Sequence, residues 1–522
     1  MLRLFHRYFG LVFAWIAFFI FFSGTLAYYR DDITLFMQPE YYEVNYKNSE
    51  YIDTAVEYFK KHHPNSDIWR ITPPGDLTPY ISLSWQDNAK VKEHRRNRKS
   101  VKIDPNTSEL LKGRTTYGGA FLSALHYDLW FVKRIAAREI MGYITVVMLF
   151  ILISGIFIHG RILKDFFKFK KKSAWLDLHI LSSVSGFVIF FMLAVSGLYL
   201  VERFMLKDIY LQVAEENKAN LQENFNAKAK ARNEERKKQR ALAKLSAEQN
   251  LTSVSTQILT NNLDKNVSET VAKTHKFIPS IEQIKNIIGK NNNKNIETII
   301  IQRNFKDTAY VQLNFTSEKP FTDSGVGLSA KIFDLSTGDQ VEEIAERKLD
   351  RASFVAVFMK LFHIGEFGGS IVKFIFFIFG CAGLIMCASG VFLWSKKRHS
   401  HFAKNVIKTL NNTFFIGLFT ALGSYFLANQ LISYEVKLRY EYEVYAFFTA
   451  FAIAFLFGIL FVKRYAYAIT STITSLVFIV VSVVSIGNGS FANFAVFKIS
   501  ITCALVSVIF IYLSFKFAKE KA

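Results

Sequence analysis

Cysteine is nearly missing from this chain of 522 residues: Cys381, Cys387 and Cys503 are all there are, each inside an apolar run. That excludes a disulfide framework and a CxxC metal site, so any water-exposed part must fold by packing alone. No P-loop, no G-x-G-x-x-G turn and no evident flavin site occurs, which leaves the chain without a nucleotide site of its own. Charge is sparse within the long apolar runs, so the formal net charge of +21 sits in the segments between them. Those cations border hydrophobic stretches and have a topological explanation, so nucleic acid is not an expected partner.

What the chain has in abundance is hydrocarbon. Hydrophobic residues make up 51% of it, with 53 Phe, and the mean hydropathy is +0.18. A soluble enzyme of ordinary composition is excluded, and the membrane is the natural solvent. About 20 apolar residues cross the hydrocarbon core. Eight segments qualify, at 8–28, 140–160, 180–201, 370–394, 411–432, 444–462, 466–486 and 493–515. The first is full length, lacks a convincing cleavage site and runs into Tyr28, Tyr29 and Arg30, so it reads as an anchor rather than a removable signal.

Orientation follows from lysine and arginine in the short loops. Arg3 and Arg7 precede span one; Arg161, Lys164, Lys168, Lys170, Lys171 and Lys172 follow span two; Lys396, Lys397 and Arg398 follow span four. Lys463 and Arg464 join spans six and seven, and Lys516, Lys519 and Lys521 close the chain. All fall on one side, which places both termini in the cytoplasm and the two long loops outside. The organisation expected is span one at 1–29, a first external module at 30–139, spans two and three at 140–201, a second module at 202–369, span four at 370–395 and four further spans at 396–522.

Each long loop carries alternating β-branched and aromatic residues closed by turn signals, the pattern of a small α+β module. The strand candidates are Tyr80–Trp85 and Val101–Asp104 in the first, and Thr298–Gln302, Ala309–Asn314 and Ala330–Leu335 in the second. The endings IDPNTSEL and FDLSTGDQ look like one hairpin used twice. A polar insert at about 210–250 is a helix or flexible arm without visible chemistry.

The loops are not the only repeat. Span one runs from Phe5-His6 to Ser23-Gly24, and span three from Leu178-His179 to Ser196-Gly197, each with 18 residues from His to Gly. Span two is approached through Leu125-His126 and contains Ser154-Gly155; span four is approached through Phe362-His363 and contains Ser389-Gly390. A duplicated unit of span, module, histidine and span predicts a four-helix core with approximate two-fold symmetry. Eighteen residues are five whole turns, so His6 and Gly24 share a face, as do His179 and Gly197. His159, four residues after Gly155, lies on that glycine's face. Small residues let helices or a flat ligand approach the backbone, so histidines and glycines point at a common interior.

A single histidine at a membrane edge is as often an interfacial or structural group as a ligand. Here they gather as two sets: His6, His159 and His179 at the cytoplasmic edge, His126 and His363 at the external one. Neutral imidazoles from facing helices can take both axial positions of a haem iron, and two occupied positions favour electron transfer over oxygen binding. Repeat symmetry pairs His126 with His363 and His6 with His179. The counterpart of His159 is Trp394, which cannot ligate iron, so His159 is an alternative inner ligand to His6, a propionate partner or a surface residue. Lys133, Arg134, Arg138 and Glu139 separate His126 from the apolar part of span two, which puts it on an external helical extension. Zinc or copper alone ranks lower, because no Cys, Met or carboxylate pattern accompanies the inner histidines. His62, His63 and His94 read as solvated, and His275, His399 and His401 as members of basic stretches.

At these residues the chain resembles the PepSY-associated transmembrane family of bacterial inner-membrane proteins. FHRYFGLVFAW is similar to the family's opening helix, and GIFIHGRILKDFFKFKKKSAWLDLH to its second cytoplasmic hairpin. LFHIGEFGGSIVKFIFFIFGCAGLIMCASGVFLWSKKR and LNNTFFIGLFTALGSYFLANQLI are similar to later blocks. The resemblance implies PepSY-like external modules, two haem b groups on His6, His126, His159, His179 and His363 as candidate axial ligands, and reduction of a ferric siderophore or other Fe(III) chelate at the periplasmic face. Relatives often carry a further histidine midway along span three, where this chain reads Phe190-Phe191. Without a nucleotide site, the donor would be a quinol or a separate cytoplasmic reductase, and membrane lipid surrounds the spans. The competing readings are a permease with a histidine proton relay and a peptide-binding scaffold.

Overall fold

The computed structural model describes residues 1–46, 50–88, 99–158, 174–205, 280–291, 296–303, 309–315, 329–344, 351–396, 400–461 and 463–519. Residues 202–275 form a unit apart from the rest of the chain. The insert at 210–250, and His94, His159, His275 and His399, lie outside the described residues.

Along the chain, α1 (Leu2–Ala27) is followed by the short α2 (Arg30–Phe36), then α3 (Tyr51–His62), α4 (Gly119–Tyr127), α5 (Arg134–Ile158) and α6 (Ala174–Met205). The second half gives α7 (Ile281–Lys290), α8 (Arg351–Ile364), α9 (Gly369–Ser395) and α10 (His401–Asn411), which passes through a π-helical stretch, Asn412–Gly417, into α11 (Leu418–Leu431). Helices α12 (Arg439–Leu460), α13 (Lys463–Gly487) and α14 (Phe494–Lys519) complete it. Eight of these segments are long and apolar enough to cross a membrane, and they are the eight read from the sequence. The chain is a multi-pass membrane protein of mainly α structure.

Helix α5 extends outward to Arg134 as expected, but the extension does not reach His126, which sits on the separate helix α4. Helix α4 ends at Tyr127, and Leu129 and Trp130 take left-handed backbone (φ 50° and 45°) before α5 begins. Arg138, one of the cations flanking His126, is held by Asp128 at 2.8 Å. Span five also starts earlier than expected, because Ser400 caps α10 by accepting a hydrogen bond from the Ala403 amide.

The two loop modules share one sheet. Strands β1 (Ile68–Thr72), β2 (Ile81–Gln86) and β3 (Lys99–Ile103) come from the first loop. Strands β4 (Ile296–Arg303), β5 (Ala309–Phe315), β6 (Ser329–Asp334) and β7 (Gln340–Ile344) come from the second. The order is β3-β2-β1-β4-β5-β6-β7, antiparallel throughout, and β1 meets β4 through Trp69↔Ile301 and Ile71↔Ile299. Alternation buries Trp69, Ile71, Ile81, Leu83, Ile299, Ile301, Val311 and Leu313 beneath α3 and α7. The two similar endings are one turn used twice. Asp104 Oδ1 accepts from the amides of Asn106 and Thr107, and Asp334 Oδ1 from the Ser336 amide and hydroxyl.

Below the sheet, a buried polar network ties the first loop to α11 and α12. Arg439 and Glu443 are fully buried and pair at 2.7 Å. Arg439 also donates to the carbonyls of Thr115, Asn429 and Ile432, and Glu443 accepts from Thr116 and Asn429. Arg114 bridges Glu40 and the Asn429 carbonyl, and the Tyr425 hydroxyl donates to Gly118, at the start of α4. The helix that carries His126 is thus fastened to the C-terminal spans. Arg439→Met is expected to destabilise the protein by about 3–5 kcal/mol, because it strands the Glu443 carboxylate. The exposed Glu435→Gln should stay within about 0.5 kcal/mol in denaturant unfolding of detergent-solubilised protein.

Candidate functional site

Each of the four described histidines of the repeat sits on a Ser-Gly step of another helix, by the same contact. The His6 Nδ1 is 3.1 Å from the Ile151 carbonyl and 3.0 Å from the Ser154 hydroxyl. The His126 Nδ1 is 3.0 Å from the Ile20 carbonyl, and the His179 Nδ1 is 2.9 Å from that of Met386. The His363 Nδ1 is 3.0 Å from the Ser196 hydroxyl, whose own proton goes to the Met192 carbonyl, and the ring also hydrogen-bonds the Leu193 backbone. In every case the carbonyl belongs to the residue three before the serine and four before the glycine.

The glycine is what admits the ring. A Cβ on Gly24 would meet His126 Cε1 at 2.7 Å, and one on Gly197 would meet His363 Cε1 at 2.9 Å. At Gly390 and Gly155 the corresponding distances to His179 and His6 are 3.1 and 3.3 Å. The seating is reciprocal within each half: α1 sends His6 to α5 and receives His126 from α4, while α6 sends His179 to α9 and receives His363 from α8. The spacing read from the sequence is correct, with one refinement: the glycine sharing a face with His6 seats a different histidine.

A carbonyl can only accept, so Nδ1 carries the proton in each ring, and Nε2 carries the lone pair. Helices α4 and α8 lie outside the eight spans, and burial holds His126 and His363 below the ordinary imidazole range. His363 is lowered to about 4, with the neighbouring His126 ring adding to the effect. Both are neutral imidazoles at physiological pH, the form in which a ring nitrogen can coordinate a metal.

The halves meet at the histidines. The rings of His126 and His363 have centres 6.1 Å apart and planes 34° apart. Two imidazoles bound through Nε2 to one metal atom, at roughly 2.0–2.1 Å each, put their centres roughly 6 Å apart. His6 and His179 line a common cavity of about 430 Å³, within the usual range for a small-molecule site. Among the described residues no group of three or more His, Cys, Asp or Glu is placed to hold a metal ion. A two-imidazole donor set suits a metal whose remaining ligands come from a cofactor, as iron does in haem. The glycine seats, the ring separation and the donor chemistry all fit that group.

The two sites are kept apart by aromatic rings. Ile20 receives His126, while Phe21 lines the inner cavity and meets Phe190 edge-on at 5.1 Å. Each of the two phenylalanines packs on a glycine, Phe21 on Gly383 and Phe190 on Gly186. From His6 to Ile20 along α1 is about 21 Å at 1.5 Å per residue. Trp394, the counterpart of His159, lines the inner cavity.

The other described histidines, His62, His63 and His401, stay out of this arrangement. His62 and His401 are exposed, whereas His63, expected to be solvated, stacks on Trp85 with ring centres 3.6 Å apart in the sheet module. Sequence reasoning missed the carbonyl seats, since a backbone acceptor has no residue signature. The fourfold Ser-Gly step was the available signal.

The seats predict a graded response to added methyl groups. Gly24→Ala and Gly197→Ala should each cost about 1–3 kcal/mol by displacing a ring, with Gly390→Ala and Gly155→Ala less damaging. Gly487→Ala, which meets nothing within 4 Å, should be neutral in the same unfolding assay.

Comparison with curated proteins gives no match. The family model for the PepSY-associated TM region matches residues 3–397. That stretch holds all four helices of the repeat, both halves of the sheet and every candidate histidine, and it stops just after α9. With three-quarters of its length covered in this way, the chain belongs to the PepSY-associated transmembrane family.

Proposed function

We propose that this protein is a haem-dependent ferric-chelate reductase of the bacterial inner membrane. In this reading two haem b groups carry electrons, supplied by a quinol or a separate cytoplasmic reductase, to a ferric siderophore or other Fe(III) chelate on the periplasmic side. The observation that carries it is the His126–His363 pair: Nδ1 engaged, Nε2 left with the lone pair, and ring centres 6.1 Å apart. His6 and His179 are the matching inner pair, as two linings of one cavity.

His126 with His363, and His6 with His179, would hold the haems, which would supply a one-electron couple there. The chain's own residues do the rest. The carbonyls of Ile20, Ile151, Leu193 and Met386 orient each ring and raise the basicity of its Nε2. Phe13, Leu152, Val184 and Phe187 give the inner cavity apolar walls that exclude water. At the outer face, one electron delivered to an Fe(III) chelate weakens the hold of its hard oxygen donors and releases iron as Fe(II). The basic residues Arg3, Arg7, Lys396, Lys463, Lys516 and Lys519 support an orientation with both termini in the cytoplasm and the sheet in the periplasm.

Purified full-length protein from cells with adequate haem should show a Soret band, reducible α and β bands, and about two haems per chain. His363→Ala should lose one haem and keep the other, and His6→Ala should do the converse. His159→Ala should retain both. A folded but colourless preparation overturns the reading, and unchanged haem content in His363→Ala rejects that ligand.

A further inference from the structure

The inner cavity contains a charge that nothing described in the protein answers. Arg7 lines it one residue after His6, and its Nε is buried without a hydrogen-bond partner. No Asp, Glu or Lys is among the described residues of the lining, so Arg7 is the one formal charge there. Its guanidinium carbon lies 5.4 Å from the Tyr8 ring centre, a contact that neutralises nothing. A cation at the edge of an apolar cavity is costly unless an anion pairs with it. With no carboxylate among the described residues of the lining, an anion that comes with whatever binds would answer it.

We infer that Arg7 is an anion-binding residue of the inner cavity and that its partner is a carboxylate of the bound porphyrin. This rests on the haem reading and deepens it. An oxyanion is the shared chemistry of two sources, a porphyrin propionate inside the cavity and a phospholipid phosphate at its mouth, and Arg7 is assigned to the first. The residue follows His6 directly, so the helix turn that presents an axial imidazole also carries the guanidinium to the same ligand. A planar guanidinium suits a carboxylate through paired N–H donors. The assignment also bears on what the cavity excludes: a neutral quinol would leave Arg7 as it stands, whereas a dicarboxylate porphyrin satisfies it.

Haem and its dimethyl ester, in which both carboxylates are uncharged, separate the possibilities. The full chain carrying His363→Ala, which confines loading to the inner site, is prepared without haem in lipid nanodiscs and titrated with each compound by absorbance. That parent should bind haem about 10- to 100-fold more tightly than the ester, the worth of one charge-assisted pair. Adding Arg7→Met should bring the ratio close to one while leaving the ester's affinity unchanged, and Arg7→Lys should keep part of the preference. Arg3→Met, at an exposed position one turn away, should behave as the parent. If the parent binds both compounds equally, or Arg7→Met still discriminates, Arg7 pairs elsewhere, as with a lipid phosphate, and the assignment falls while the haem reading stands. If the parent binds neither, the haem reading itself falls, and this inference with it.

Discussion

An imidazole N–H donating to a helix carbonyl that already has a partner is the contact on which the arrangement of this core depends. The carbonyl of Ile20 accepts the Gly24 amide as part of its own helix, and the imidazole of His126 must reach it from the side. A side chain at Gly24 would stand in that path, as the 2.7 Å approach of His126 Cε1 shows. Glycine four residues after the acceptor is therefore a steric requirement of the second hydrogen bond. The serine before it satisfies its own helix, as Ser23 does by donating to the Phe19 and Ile20 carbonyls. Inside hydrocarbon, where an unsatisfied imidazole N–H finds no water, this seat fixes the ring's position, tautomer and orientation at once.

Reciprocal seating explains why the repeat is a working unit. In the first half, α1 gives one histidine to α5 and accepts one from α4, so its length sets the separation of two ligand levels. The second half does the same with α6, α9 and α8. Neither half completes a two-imidazole site by itself, because His126 finds its partner in His363 and His6 shares its cavity with His179. The sheet repeats this logic outside the spans: β1 and β4 join one loop to the other, and the halves meet edge to edge. Duplication and pairing thus occur at both levels of the structure.

Much of this was legible in the sequence, and what was not has physical reasons. Eighteen residues between His6 and Gly24 correctly placed both on one face, because helix periodicity is a local property. Periodicity does not say which helix will lie opposite, so the glycine's true guest, His126, was out of reach. The Arg439–Glu443 pair was also invisible: opposite charges four residues apart at the start of a span look like an interfacial pair. Only tertiary packing shows both fully buried and bonded to Thr115, Thr116 and Asn429. Arg134 to Glu139 do lead helically into span two, but the extension does not reach His126, because Leu129 and Trp130 in left-handed backbone break it. That break lets α4 lie against α1 with its histidine turned inward.

The Phe190 position shows how the fold separates its two ligand levels. Midway along span three, where the family resemblance raised the expectation of a histidine, the almost fully buried Phe190 ring stands edge-on to Phe21. Phe21 fills a notch left by Gly383 on a neighbouring helix, and Phe190 one left by Gly186 a turn earlier on its own helix, so glycine makes room for these rings as it does for the imidazoles. A histidine at this depth would need a hydrogen-bond partner or a metal, since a polar ring without one is expensive in hydrocarbon. Phenylalanine removes that demand and closes the middle of the core to water by close packing. The chain thus has two glycine seats per half for its histidines, at opposite ends of the core, and the space between them is sealed with rings that cannot ligate.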